Sequence, residues 1–128
     1  MDSQWPAHFP SGCPPIEAVA ASGMVYRIVA NAPPQAKEFR SVYEKNPSKY
    51  AADCRARGLS VHKDRTELQK LLRTVPAMKK LGEHIASAAL EAAHGKLKAT
   101  PSGRGKSHCT WWVTTGIEPC TLFSIVES

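Results

Sequence analysis

The stretch Lys106-Ser107-His108-Cys109-Thr110-Trp111-Trp112 constrains this chain more than any other. It reads as the start of a strand running over His108–Thr115, and a strand sends successive side chains to opposite faces. His108, Thr110, Trp112 and Thr114 then share one face, and Cys109, Trp111 and Val113 share the other. The second set is a core stripe. The first is a polar wall with an aromatic platform. Either it lines a cleft, or His108 and Thr110 satisfy each other and nearby backbone while Trp112 packs half-buried.

The rest of the chain supplies partners for that strand. Residues 1–16 are proline-rich, with Trp5, Phe9 and Ile16 between the prolines, so they form an extended arm pinned to the body by its aromatics. Met24–Ala30 reads as a strand from its branched and aromatic content, with Arg27 its one charge. Pro33-Pro34 opens a helix that Asn46-Pro47 ends. A second short helix spans Tyr50–Arg57 and stops at Gly58. Leu59–His62 is a short strand. Asp64 with Glu67 three residues on starts a further helix, whose buried stripe is Leu68, Leu71 and Leu72. Residues 83–94 lean to a helix, on alanine richness and Gly95, with a strand over Ile85–Leu90 as the alternative. Lys96–Thr100 is a strand candidate, 101–106 a basic flexible loop, and Thr121–Glu127 a strand hairpinned to His108–Thr115.

These elements predict a single α+β domain over 23–128, mainly antiparallel sheet against two to four helices, with an extended arm over 1–22 packed on it. At 128 residues, 42% hydrophobic and 22% charged, the chain can bury one core. The expected core holds Val25, Ile28, Val29, Leu68, Leu71, Leu72, Trp111, Val113, Leu122 and Ile125. No apolar run approaches a membrane span, and the N-terminus has neither a basic nor an apolar leader region, so a cytoplasmic protein with no membrane partner is expected. Cys13, Cys54, Cys109 and Cys120 lack metal-finger spacing. In a reducing compartment they are expected to be free thiols, with no metal site.

A net charge of +6 favours anionic partners: nucleotide, nucleic acid or an acidic protein surface. Nine Lys or Arg face three acids between Lys49 and Lys80, and four face none between Lys96 and Lys106. Gly105-Lys106-Ser107 is no phosphate loop, because position 100 is Thr and a strand follows. A looser anion nest over 102–107, with Arg104 and Lys106, remains as an expectation. His108-Cys109-Thr110 is one copy of a histidine–x–threonine pattern that a two-histidine phosphoesterase needs twice. Ser60-Val61-His62 supplies only a second imidazole. Trp112 offers a face on which a base or nicotinamide stacks.

Three segments together resemble an ADP-ribosyltransferase core. They are Tyr26-Arg27 on the first strand, Gly58-Leu59-Ser60-Val61-His62 before an amphipathic helix, and Phe123-Ser124-Ile125-Val126-Glu127 at the end. Such enzymes set an Arg or His of the first strand against a dinucleotide, a serine or aromatic on the strand before a helix, and a glutamate on a late strand. The resemblance implies NAD as the cosubstrate, Arg27 on a phosphate and Glu127 as the catalytic carboxylate. The chain is also similar to small bacterial and phage proteins with Gly-Leu-Ser-Val and Ser-His-x-Thr-Trp-Trp stretches.

The resulting expectation is a nucleotide-handling enzyme. His108, Ser60 and Glu127 are its catalytic candidates, and Arg27, Thr110, Trp112, Arg104, Lys106 and His62 its ligand-binding candidates. The alternatives are a non-catalytic nucleic-acid-binding module or a protein-interaction accessory factor of a mobile element. An enzyme gathers Arg27, His62 and His108 around one cleft, and a binding module does not.

Overall fold

A computed structural model describes residues 4–103 and 105–126. Seven strands form one antiparallel sheet: β1 (Val19–Ala20), β2 (Gly23–Val29), β3 (Leu59–His62), β4 (His84–Leu90), β5 (Gly95–Ala99), β6 (His108–Val113) and β7 (Ser124–Ile125). Their spatial order is β1-β5-β6-β3-β2-β4-β7. Four α-helices accompany the sheet: α1 (Val42–Lys45), α2 (Arg65–Thr74), α3 (Pro76–Lys79) and α4 (Pro119–Leu122). The architecture is the α+β class with a mainly antiparallel sheet.

The pairing is uneven, and this shapes the molecule. β2 pairs with β4 along its whole length, from Gly23 opposite Leu90 to Val29 opposite His84. β3 pairs with β6 along its whole length, from Leu59 opposite Trp111 to His62 opposite His108. Between β2 and β3 the register joins one residue pair, Tyr26 and His62. Past that pair the strands part, and the sheet splits between Arg27–Val29 and Leu59–Val61.

Both faces of the sheet are covered. Val25, Val29, Leu59, Val61, Ala86, Leu97 and Trp111 form the main core with Phe39 and Phe123. On the opposite face Leu68 of α2 packs with Ile28, Met78 and Ile85. Of the expected core residues, Val25, Ile28, Val29, Leu68 and Trp111 are buried, while Leu71, Leu72, Val113, Leu122 and Ile125 are half-buried at its margin.

Several local expectations are corrected. The 83–94 segment is strand β4 followed by a 3-10 turn at Ala92–His94. Its small alanines sit between β2 and β7, and the ladder outweighs helix propensity. The C-terminal strand shrinks to β7 and pairs with β4 instead of forming a hairpin with β6, because α4 redirects the chain. The 33–46 helix is two pieces: a 3-10 helix at Ala36–Phe39, an extended Arg40, then α1 capped by Ser41 with Glu44 reciprocating. The Tyr50–Arg57 helix reduces to Arg55–Arg57. Arg57 explains why: its guanidinium takes the carbonyls of Tyr50, Ala51 and Asp53.

The cysteine expectation also changes. Cys13 and Cys54 form a disulfide with Cα atoms 5.5 Å apart, while Cys109 and Cys120 are free. The bridge ties the arm to the body, and there Trp5, Phe9 and Ala18 pack around Trp112. Arg57 reaches the same arm by donating to the His8 carbonyl.

Candidate functional site

A cavity of about 620 Å³ opens where β2 and β3 part. That size suits a small-molecule or nucleotide site. Arg27, Leu59, Ser60, His62 and His108 form its floor. The 3-10 helix at Ala36–Phe39 and α1 make one wall, and Leu68, Met78 and Leu81 make the other.

Arg27 is the central cation. Its Nε and Nη2 donate to the Glu38 carbonyl at 3.3 and 2.8 Å, and its Nη1 donates to the Ser60 carbonyl at 2.7 Å. Its guanidinium carbon lies 5.5 Å from the Phe39 ring centre. Three of five N–H groups are thus spent on carbonyls, and the remaining two can serve an anion. Burial pushes the Arg27 pKa down to about 10, with Glu38 opposing the shift, so the group stays cationic at neutral pH.

Glu38 does not neutralise it by a direct ion pair. The Glu38 carboxylate accepts from the backbone N–H groups of Ala30, Asn31 and Gln35. Burial alone would raise its pKa, and these hydrogen bonds outweigh burial and hold it below the usual carboxylate value. Lys37, Arg40 and Lys45 add exposed cations along the same wall. The cavity therefore presents net positive charge.

His62 and His108 meet on adjacent strands with ring centres 5.2 Å apart, edge to face. His108 Nδ1 lies 2.9 Å from the Thr100 carbonyl and 2.9 Å from Thr100 Oγ1. A carbonyl only accepts, so Nδ1 carries a proton and donates to it. Thr100 Oγ1 is also 3.0 Å from Thr110 Oγ1, which completes a chain of hydroxyls behind the imidazole. A side chain on Gly58 would strike the Thr110 methyl, so glycine lets the start of β3 lie against β6.

The structure therefore brings Arg27, Ser60, His62 and His108 to one cleft. Thr110 stands behind His108 and lines an adjoining cavity of about 470 Å³. Trp112 corrects the stacking expectation: it is 1% exposed under the arm, its Nε1 donates to the Cys54 carbonyl, and it lines neither cavity. Lys106 is exposed and lines neither cavity. Arg104 and Glu127 lie outside the described residues.

In the expected anion nest over 102–107, the N–H groups of Lys106 and Ser107 are already taken by an internal anion. Glu67 accepts from the N–H groups of Lys106 and Ser107 and from the Ser107 hydroxyl. Those bonds, led by the Ser107 hydroxyl, hold its pKa below the usual value. Sequence reasoning misses Thr100, Glu38 and the Lys37–Lys45 wall. Of these, only the clustering of cations at 37, 40 and 45 leaves a local signal.

Among the described residues no group of three His, Cys, Asp or Glu could hold a metal ion, and no helix is long and apolar enough to cross a membrane. No protein-family model, curated protein or solved structure matches the chain.

Proposed function

We propose that the cleft between β2 and β3 binds a phosphate-bearing nucleotide, and that NAD is turned over there in an ADP-ribosyltransferase-like reaction. The observation that carries this reading is Arg27, a half-buried cation with no carboxylate within ion-pair distance among the described residues, opening on a cavity shared with Ser60, His62 and His108. Arg27 and the Lys37–Lys45 wall bind the pyrophosphate. The apolar side chains of Met78, Leu81 and Val42 take the flat ring of the ligand. His108 and Ser60 on the cleft floor face the ribose and orient the sugar, the part that the resemblance gives to a carboxylate. Glu38, the carboxylate among the described lining residues, is occupied by three backbone amides.

The test is direct. Titrating NAD into the labelled protein shifts the His108 and His62 ring resonances, and incubation releases nicotinamide. Arg27→Lys and His108→Ala each remove turnover. Absence of both resonance shifts and nicotinamide release ends this reading.

A cytoplasmic location stays part of the proposal, and the Cys13–Cys54 bridge weighs against a strongly reducing compartment. Mass determination of protein taken from its native cells decides between the two.

A further inference from the structure

The wall that carries Lys37, Arg40 and Lys45 is fixed in place by its own acids. Residues 36–45 hold two carboxylates, Glu38 and Glu44, and both accept from backbone N–H groups. Glu38 ties this segment to Ala30 and Asn31, just past β2, while its carbonyl holds Arg27. Glu44 closes the capping box with Ser41 and lines a separate cavity, against the N-terminal arm. The cations get no such engagement. Lys37, Arg40 and Lys45 are exposed, and none has a side-chain hydrogen bond or ion pair among the described residues.

Charge then decides what the cleft answers best. Its lining holds four fixed cations, Arg27, Lys37, Arg40 and Lys45, against one carboxylate, Glu38. In NAD the nicotinamide cation cancels half of the pyrophosphate charge, so NAD leaves most of this field unanswered. A phosphomonoester on the adenosine ribose adds a charge of about −1.5 to −2 at neutral pH. That brings the ligand close to the opposite of the lining. Depth sorts the cations as well. Arg27, half-buried on the floor and held by two carbonyls, offers fixed donors to the pyrophosphate. Lys37 and Lys45 stand at the rim on flexible stems. A compact ammonium of that kind suits a terminal phosphate that keeps part of its water. Arg40 borders both this cleft and the cavity against the arm, so it is shared between them.

We infer that the cleft selects a dinucleotide bearing a phosphomonoester on its adenosine ribose, NADP over NAD, and that Lys37 and Lys45 determine this preference. The inference deepens the nucleotide reading above and rests on it. The bond to nicotinamide is the same in both molecules.

The test is isothermal titration calorimetry of the full chain with NAD and with NADP. At low salt NADP binds about tenfold tighter than NAD, and the ratio shrinks as salt rises. A double variant, Lys37→Ala with Lys45→Ala, brings the ratio to about one. Arg27→Lys weakens both ligands and keeps the ratio, because its phosphates are common to the two. NAD that binds with NADP no tighter overturns the inference and leaves the nucleotide reading standing. A preference that survives the double variant overturns the assignment to Lys37 and Lys45. If neither dinucleotide binds, the reading of the cleft and this inference fall together.

Discussion

The Arg27 guanidinium donates to the Ser60 carbonyl at 2.7 Å, across the gap where β2 and β3 no longer pair. One side chain thus spans the split that an ordinary ladder would close. The same group also holds the Glu38 carbonyl, so the cleft floor and its cationic wall are fixed to each other through Arg27.

Arg27→Ala should therefore cost stability as well as binding. Two carbonyls lose their donor, at about 1–3 kcal/mol for the loss of a charged hydrogen-bond partner in a half-buried place. Urea unfolding measures it. Stability equal to the parent would mean that the two carbonyls find water freely and that Arg27 serves the ligand alone.

Thr100→Val removes the hydroxyl beside His108 Nδ1 and keeps the carbonyl. The proton should remain on Nδ1, because the carbonyl still requires it. The His108 ring should move more freely, and Thr110 loses its hydroxyl partner. Nitrogen-15 shifts of the ring report the tautomer. A parent ring that carries its proton on Nε2 alone would refute the assignment.

Glu67 gives a pH dependence of known sign. Its folded pKa lies below the ordinary 4.5, so its contribution is present above that value and is lost as pH falls through the folded pKa. The protection of the Lys106 and Ser107 amides against exchange, taken relative to their intrinsic rates, should fall as the solution is acidified through the folded pKa of Glu67. Glu67→Gln should show fast exchange already at neutral pH. Exchange insensitive to both would mean that other contacts hold the loop.

Reducing the Cys13–Cys54 bridge should lower stability by about 2–4 kcal/mol, given the 41-residue separation it closes. It should also expose Trp112, whose fluorescence would shift to the red. A Cys13→Ser, Cys54→Ser variant that melts like the oxidised parent would show that arm packing alone is sufficient.

Leu68 is 0% exposed beneath the second face of the sheet. Leu68→Ala should cost about 2–5 kcal/mol through lost burial and a residual cavity. An unchanged melting temperature would detach α2 from the core.

The parts of this structure that local pattern encodes are legible in the sequence. β3 and β6 follow from alternation and branched content, and α2 begins at Asp64, whose carboxylate caps the Glu67 amide. The same Glu67 shows where local reasoning stops. Its spacing suggests a reciprocal bond to Asp64, but its side chain crosses to residues 106–107, about forty positions away. Arg27, His62 and His108 are each noticeable as lone polar residues in apolar runs. What unites them is the β2–β3–β6 register, which depends on long-range pairing. Trp112 and the Cys13–Cys54 bridge fail for a related reason: an arm nearly a hundred residues earlier in the chain decides the exposure of that ring. Residues 83–94 mislead because alanine suits a helix in isolation and equally suits a narrow slot between two strands.

The single Tyr26–His62 pair has a practical consequence for anyone wishing to alter this molecule. Cleft width in most sheet proteins is locked by rows of amide bonds, and resizing it breaks the ladder. Here no row of amide bonds crosses the opening beyond that pair, and the Arg27 side chain bridges it. A redesign of position 27 could retune what the opening admits while both half-sheets keep every internal bond.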